Sequence, residues 1–108
     1  MTPALGEFEQ LVLLSLVRLG PDAYGATVRR EIEARAGRQL SISAVYTTLE
    51  RLERKGLVGS RVGEPTPQRG GRRRRHYLID SEGQKAVGRA YRAFTAMTEG
   101  VEKELAVL

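Results

Sequence analysis

The segment RVGEPTPQRGGRRRRHYLI, residues 61–79, has the composition of two short strands joined by an exposed and strongly basic loop. Two prolines and a Gly-Gly pair mark the loop, and the apolar-flecked runs 57–63 and 74–79 flank it. The segment holds six arginines and one acid, Glu64, so it alone accounts for the net charge of +5. Most charge runs are solvated loops, but arginines this dense are typical of a surface that binds a polyanion. We therefore predict a β-hairpin whose tip contacts nucleic acid.

The composition of the whole chain limits the remaining possibilities. A length of 108 residues suits one domain, and the 41% hydrophobic and 29% charged fractions are close to those of globular proteins. The absence of cysteine excludes disulfides, thiolate metal sites and cysteine nucleophiles. The N-terminal residues carry no basic n-region, and the longest apolar run, residues 11–17, is far shorter than a membrane span. We expect a soluble, cytoplasmic chain that does not contact a membrane.

Hydrophobic periodicity before the hairpin indicates helices. Three helices are predicted, over residues 5–19, 23–36 and 43–56. A Gly-Pro-Asp turn at 20–22 separates the first two, and Gly37 ends the second. The run QLSIS, residues 39–43, alternates briefly and favours a very short strand. Ser43 or Ser41 is expected to cap the third helix.

A further helix is predicted after the hairpin. Ser81 and Gln84 have capping-box spacing, and they start a helix predicted to continue to residue 108. Its apolar positions follow a heptad seam: Val87, Ala90, Phe94, Met97, Val101 and Leu108, with Leu105 beside them. The seam can pack within the monomer, but three helices already close a small core, which favours dimerisation through Val87, Ala90, Phe94, Met97 and Val101.

Three helices followed by a basic hairpin form the outline of a winged helix-turn-helix. The predicted fold is therefore mainly α with a small β-hairpin, with residues 1–80 as the DNA-binding domain and 81–108 as a dimerisation helix in one compact unit. The third helix has an apolar back and a polar front that fits a major groove. The predicted DNA-binding residues are Ser43, Tyr46, Thr47 and Arg51 on this helix and Arg69, Arg72, Arg73 and Arg74 on the wing. Packing of the Tyr46 ring between helices is an equal alternative.

Catalysis has little support in the sequence. The chain contains no His-Asp-Ser set, no HExxH, no GxxxxGK and no paired acids in an apolar setting. His76, the only histidine, has no carboxylate or second ligand near it in sequence, so an inert strand position is favoured over a pH switch or a metal ligand. We expect neither an enzyme, nor a cofactor, nor a metal.

Several segments together resemble the PadR-like family of bacterial transcriptional regulators. The resemblance covers roughly residues 4–90, and its pieces are LGEFEQLVLLSLVRLG, DAYGATVRREIEARAG, SAVYTTLERLERKGLV and EPTPQRGGRRRRHYLI, followed by DSEGQKA. It implies a homodimer that binds a pseudo-palindromic double-stranded operator, usually to repress transcription. It further implies that the helix over 43–56 reads the DNA and that the C-terminal helix packs against the partner's N-terminal helix. Among similar proteins, those that sense drugs have a hydrophobic pore with stacked aromatic side chains at the dimer centre. This chain has no tryptophan and no obvious source of that stack, so the effector is left unassigned.

A function of another class remains open at this point. The basic wing could bind RNA or an acidic protein and use the helix-turn-helix only as a scaffold, because a fold does not fix a function.

Overall fold

The computed structural model describes residues 4–63 and 74–106, and their architecture is mainly helical with one antiparallel hairpin, which confirms the predicted secondary-structure class. The elements in chain order are α1 (Glu7–Leu19), α2 (Gly25–Ala36), α3 (Ile42–Arg54), β1 (Val58–Val62), β2 (Arg75–Ile79), α4 (Ser81–Thr98) and α5 (Glu102–Leu105). A single 3-10 turn, Gly20–Asp22, joins α1 to α2. None of the helices in the described part of the chain has the length and apolar content that crossing a membrane requires.

Local hydrogen bonds define where the first three helices start. At α1 the Glu9 carboxylate accepts a hydrogen bond from the Gly6 N–H at 2.9 Å, and at α2 the Thr27 hydroxyl accepts one from the Tyr24 N–H at 3.0 Å. Ser41, rather than Ser43, caps α3, because its Oγ accepts from the Ala44 N–H at 3.1 Å. These contacts satisfy amide groups that a helix leaves without partners in its first turn.

The short strand expected at residues 39–43 is wrong. The Leu40 N–H donates to the Glu33 carboxylate at 3.0 Å, and α3 already begins at Ile42. The alternation of apolar and polar residues in this run indicated a strand. Instead, the carboxylate of Glu33 on α2 accepts the hydrogen bond of the Leu40 N–H, so this backbone group needs no partner strand.

The hydrophobic core contains side chains from α1, α2, α3, the hairpin and α4. Its members include Val12, Leu13, Leu16, Val28, Ile32, Val45, Leu49, Leu52, Leu57, Tyr77, Ala86 and Val87. Val87, which the sequence assigned to a dimer seam, is only 7% exposed and packs inside the monomer. The first turns of α4 are therefore part of the domain core.

The hairpin is attached to the start of α2 through its backbone. β1 and β2 pair in antiparallel register from Val58–Ile79 to Val62–Arg75. On the side of β2 away from β1, the Tyr77 N–H donates to the Ala23 carbonyl at 2.9 Å. The backbone of Tyr24 also pairs with that of His76 in an isolated antiparallel β-bridge. The loop at the hairpin tip, with the predicted wing residues Arg69, Arg72 and Arg73, lies outside the described residues.

The C-terminal segment differs from the predicted continuous helix. Asp80, not Ser81, occupies the N-cap position, and the end of α4 at Thr98 is followed by Gly100 with a φ of 86°. This left-handed conformation suits glycine and redirects the chain into the short α5. Heptad spacing predicted one seam from Val87 onward, but Val101 lies beyond the end of α4. Leu108 lies outside the described residues.

Candidate nucleic-acid interface

One face of α3 is exposed and polar along its length. The side chains of Val45, Thr48, Leu49 and Leu52 are buried against the core. With about 100° between successive helical residues, the positions opposite this buried face are Ser43, Thr47, Glu50 and Arg54, and all four are exposed. Arg51 is also exposed but lies on one flank, and Tyr46 lies on the other. Helical spacing alone places Arg54 opposite the core, yet the sequence analysis did not assign it to the site.

Tyr46 packs against α2 and is also partly exposed. An added Cβ on Gly25 would lie 2.3 Å from Cζ and 2.5 Å from Oη of Tyr46, so the ring lies directly on the first residue of α2. The side chain nevertheless remains 39% exposed at the flank of α3. The packing alternative is therefore present, while a contact between Tyr46 and DNA stays a prediction.

Polar contacts anchor the C-terminal half of α3 to its neighbours. Lys55 Nζ, directly after the helix, lies 2.7 Å from Glu9 Oε2 of α1. On the other side, the Ser60 hydroxyl donates to the Glu53 carboxylate at 2.7 Å and accepts from Arg75 at 3.0 Å, which joins α3 to both strands. Since these contacts fix α3 relative to α1 and to strands β1 and β2, the exposed face of α3 and the two strands keep a defined arrangement.

The carboxylate of Glu9 stays ionised in this arrangement. Burial acts to raise the pKa of Glu9, but hydrogen bonds from Lys55 and from the Gly6 N–H, with the charges of Lys55 and Arg51, outweigh burial. The pKa of Glu9 therefore lies below its ordinary value. The ion pair with Lys55 is intact at neutral pH.

Basic side chains accumulate around α3 and the hairpin without carboxylate partners. On α1, on α2 and in the segment after α2, arginines form salt bridges, as in the shared contact of Arg18 and Arg35 with Glu31. Within residues 4–63 and 74–106, eight other arginines make no salt bridge to a described carboxylate, and five of the eight lie on α3 or at the hairpin: Arg51, Arg54, Arg61, Arg74 and Arg75, besides Arg30 on α2 and Arg89 and Arg92 on α4. A cluster of guanidinium groups of this kind suits an anionic backbone.

The base of the wing contains a cluster of three side chains. The Arg74 guanidinium carbon lies 4.6 Å from the centroid of the Tyr24 ring. The ring of His76 meets Tyr24 edge-on, with centroids 5.5 Å apart and planes at 72°. His76 Nδ1 is buried and has no hydrogen-bond partner among the described residues. This cluster joins residues that are distant in sequence, so no local sequence signal predicts it.

A second exposed surface, on α4, is apolar. Tyr91, Phe94 and Met97 are 69%, 70% and 80% exposed. Phe94 lies between two grooves of about 460 and 420 Å³, which also contain Leu5, Leu11 and Leu14 of the α1 region. Of the predicted dimerisation residues, Phe94, Met97 and Val101 are exposed, Ala90 is half-buried, and Val87 belongs to the core. Exposed apolar patches of this kind mark interaction surfaces.

Metal-binding residues do not cluster in the described part of the chain. Within residues 4–63 and 74–106, no group of three or more histidine, aspartate or glutamate side chains could hold a metal ion. The site is thus a polar helix face beside a basic hairpin, with an apolar surface elsewhere on the domain.

The comparisons with known proteins identify a family of transcriptional regulators. The model of the "Transcriptional regulator PadR-like family" matches residues 13–89. A PadR family transcription regulator from hypervirulent Clostridium difficile R20291 superposes with a TM-score of 0.75 at 23% identity, over 94% of this chain and all of that one. A PadR family regulator from Eggerthella lenta DSM 2243 is 26% identical with a TM-score of 0.66, over 94% of this chain and 88% of its own. No curated protein matches. The likeness confirms the winged helix-turn-helix fold.

Proposed function

This chain belongs to the PadR-like family of transcriptional regulators, and on that basis we propose that it binds a pseudo-palindromic operator as a homodimer and represses transcription. Family and fold support a DNA-binding transcriptional regulator. Members of the family are transcription regulators rather than enzymes, and no catalytic role is proposed. Dimerisation, operator symmetry and repression are the finer parts of the proposal.

The polar face of α3 beside the hairpin carries the proposal for DNA reading. Ser43 and Thr47 present small hydroxyl side chains near the N-terminal end of α3, where a recognition helix contacts base edges. Both side chains can accept or donate a hydrogen bond in a major groove. Arg54 lies on the same face and adds a long donor toward the C-terminal end of the helix.

The basic side chains around this face suit the DNA backbone. We assign Arg51 to a phosphate beside the groove and Arg74 to the base of the wing, with Arg69, Arg72 and Arg73 on its tip. Guanidinium groups form bidentate hydrogen bonds with phosphate and also suit a narrow minor groove. These contacts supply affinity with little sequence information, whereas α3 supplies the base readout.

The exposed apolar surface of α4 supports the homodimer. Phe94 and Met97 expose most of their side chains, and burying an aromatic side chain of this size removes about 150–250 Å² from water. We propose that residues 81–108 supply most of this interface, although Ala86 and Val87 serve the monomer core. A two-fold dimer would present two copies of α3, which requires an operator with two related half-sites.

We expect repression to follow from occupancy of the operator by the dimer. A dimer that covers two half-sites within a promoter excludes polymerase from the same DNA without any contact to polymerase. In vitro transcription from a promoter that contains the operator should therefore fall as the dimer saturates the site.

The experiment that tests the proposal is selection from a random duplex pool, followed by titrations at one salt concentration. We expect a two-fold symmetric site with half-sites about one helical turn, or a multiple of it, apart. The selected duplex should bind at least about 1,000-fold more tightly than a scrambled duplex. Equal binding to scrambled duplex and to RNA of the same length would contradict the proposal and favour the scaffold alternative.

A further inference from the structure

We propose that Tyr24 is a positioning residue for DNA binding, whose ring holds the Arg74 side chain so that its guanidinium group reaches a backbone phosphate beside the start of α2. The inference rests on the proposed function, because it assigns a role within the same DNA-binding surface. Tyr24 was not among the residues that sequence analysis assigned to this surface.

The backbone of Tyr24 is held by two elements. Its N–H donates to the Thr27 hydroxyl at 3.0 Å, and its carbonyl accepts from the Val28 N–H at 2.9 Å, so it forms the N-cap of α2. Its bridge to His76 and the hydrogen bond between Ala23 and Tyr77 join the same residue to β2. Tyr24 therefore occupies the junction between the helix-turn-helix and the wing.

The ring of Tyr24, like its backbone, contacts residues of the hairpin. The ring of His76 meets it edge-on at a centroid distance of 5.5 Å, a geometry that aromatic pairs prefer. Arg74 also lies near this ring, with its guanidinium carbon 4.6 Å from the centroid, which is within cation–π range. The ring thus provides a fixed surface against which a long and otherwise exposed side chain can order.

The position of Arg74 makes this contact relevant to DNA. Its carbonyl accepts from the Gly63 N–H at 2.8 Å, which fixes its backbone at the point where the two strands lead into the wing loop. Within the described residues no carboxylate forms a salt bridge with Arg74. A cation–π contact uses the face of the guanidinium group and leaves its N–H donors available for a phosphate. Ordering the side chain beforehand lowers the entropy lost on binding.

A double-mutant cycle tests the coupling between the two side chains. Tyr24→Leu, Arg74→Met and the double variant are titrated with operator and with random duplex over a series of salt concentrations. Arg74→Met should lower the slope of log K against log salt by about one unit. Tyr24→Leu should weaken both duplexes about two- to fivefold, the range of an exposed cation–π contact. In the Tyr24→Leu background, the loss of duplex affinity caused by Arg74→Met should be smaller by that same factor.

Conservative variants, together with a control substitution at another arginine, distinguish a positioning role of Tyr24 from a role in folding. Tyr24→Phe keeps the ring face and should bind as the wild type does. Arg61→Met removes an exposed arginine, at the ladder position opposite His76, that makes no cation–π contact among the described residues. Its effect should multiply with that of Tyr24→Leu, as expected for independent contacts. Arg74→Lys keeps the charge but loses the planar group and should weaken binding about two- to fivefold.

The possible results distinguish a failure of this inference from a failure of the proposed function. Multiplicative losses for Tyr24→Leu and Arg74→Met, or wild-type affinity of Arg74→Lys, would overturn the role of Tyr24 while duplex binding itself persists. A wild-type protein that binds no duplex would overturn this inference and the proposed function together. Thermal unfolding of each variant verifies folding, and if Tyr24→Leu does not fold, Tyr24→Phe and Arg74→Lys decide the question.

Discussion

The surface formed by α3 and the hairpin differs from the surface on α4 in chemistry and in how firmly it is attached to the domain. The side chains opposite the buried face of α3 are charged or carry hydroxyls, and polar contacts to Glu9 and Ser60 anchor the helix. On α4 the exposed side chains after Val87 include Tyr91, Phe94 and Met97, which are at least 69% exposed.

The contrast follows from what each surface would bind. A phosphate backbone is recognised by fixed donors, so a DNA-binding surface needs positioning within the monomer. A protein–protein surface gains its energy from buried apolar area, so it can remain exposed until the partner covers it. We therefore expect changes on the two surfaces to act differently, through oligomeric state on α4 and through DNA contacts on α3.

The largest expected effect concerns the α4 surface. Phe94→Asp places a charge in the proposed interface, where burying an unpaired carboxylate costs several kcal/mol. We expect a monomer at tens of micromolar protein. Affinity for the operator should fall at least about 100-fold, because the two half-sites are no longer bound by one linked unit. Light scattering and operator titration measure the two effects.

A matched control for this variant lies on the same helix. Gln84→Asp changes an exposed residue that lines neither groove, and it should leave both the dimer and the operator affinity unchanged. If the wild-type protein is already monomeric at these concentrations, the proposed dimer is wrong.

The next effect concerns the junction between the two surfaces. At Gly83 an added Cβ would lie 2.1 Å from the Leu57 carbonyl oxygen, a backbone atom that cannot rotate away. Gly83→Ala should therefore push α4 off the hairpin and lower the free energy of unfolding by about 2–3 kcal/mol. Gly59→Ala, where no atom lies within 4 Å of the added Cβ, should cause little loss. Equal thermal stability of both variants would contradict this close approach of α4.

Much of this architecture was predictable from local sequence patterns. The bounds of α1, α2 and α3 follow to within two residues from hydrophobic periodicity and from glycines such as Gly37, because helix formation and termination depend on neighbouring residues. The hairpin followed from two apolar-flecked runs around a proline- and glycine-rich basic loop. The polar front of α3 followed from the same periodicity that predicted its buried back.

The remaining features depend on contacts between distant residues. Val87 had the spacing of a dimer seam, but it packs in the core because the first turns of α4 contact α1. The ring of Tyr46 lies on Gly25, and Arg74 on Tyr24, which no pattern along the chain specifies. Heptad spacing also continued past Thr98, where Gly100 redirects the backbone. Hydrophobic spacing identifies the apolar face of a helix, but it does not specify whether the monomer core or a partner chain covers that face.

A smaller effect distinguishes base reading from backbone contact on the α3 surface. Thr47→Ala removes a hydroxyl that can bond a base edge, and alanine is the better helix former, so the fold should not suffer. We expect a loss of about 1–2 kcal/mol at the operator and almost none on scrambled duplex. Titrations of both duplexes at one salt concentration provide the measurement.

The wing supplies the contrasting variant for this prediction. Neutralising Arg72, Arg73 and Arg74 together should weaken operator and scrambled duplex alike and lower the salt slope by about one unit for each lost phosphate contact. If Thr47→Ala also weakens both duplexes equally, or weakens neither, then Thr47 does not read bases and the reading face is misplaced.

The smallest effect concerns the ion pair that joins α1, beside the α4 surface, to the end of α3. Glu9→Gln keeps an acceptor for the Gly6 N–H but removes the charge that faces Lys55, so it should cost about 1 kcal/mol at pH 7. Since the pKa of Glu9 is lower in the folded protein, the pair stabilises fully above its ordinary value of 4.5 and is lost as pH falls through the folded value. The stability difference between wild type and Glu9→Gln should therefore be constant from pH 7 to about 5.5 and shrink below pH 4.5. Urea unfolding at each pH measures it, with Glu82→Gln, whose partner Lys85 lies at 3.4 Å on the surface, as the exposed control. A difference that stays constant down to pH 3 would show that the charge of Glu9 does not hold α3 against α1.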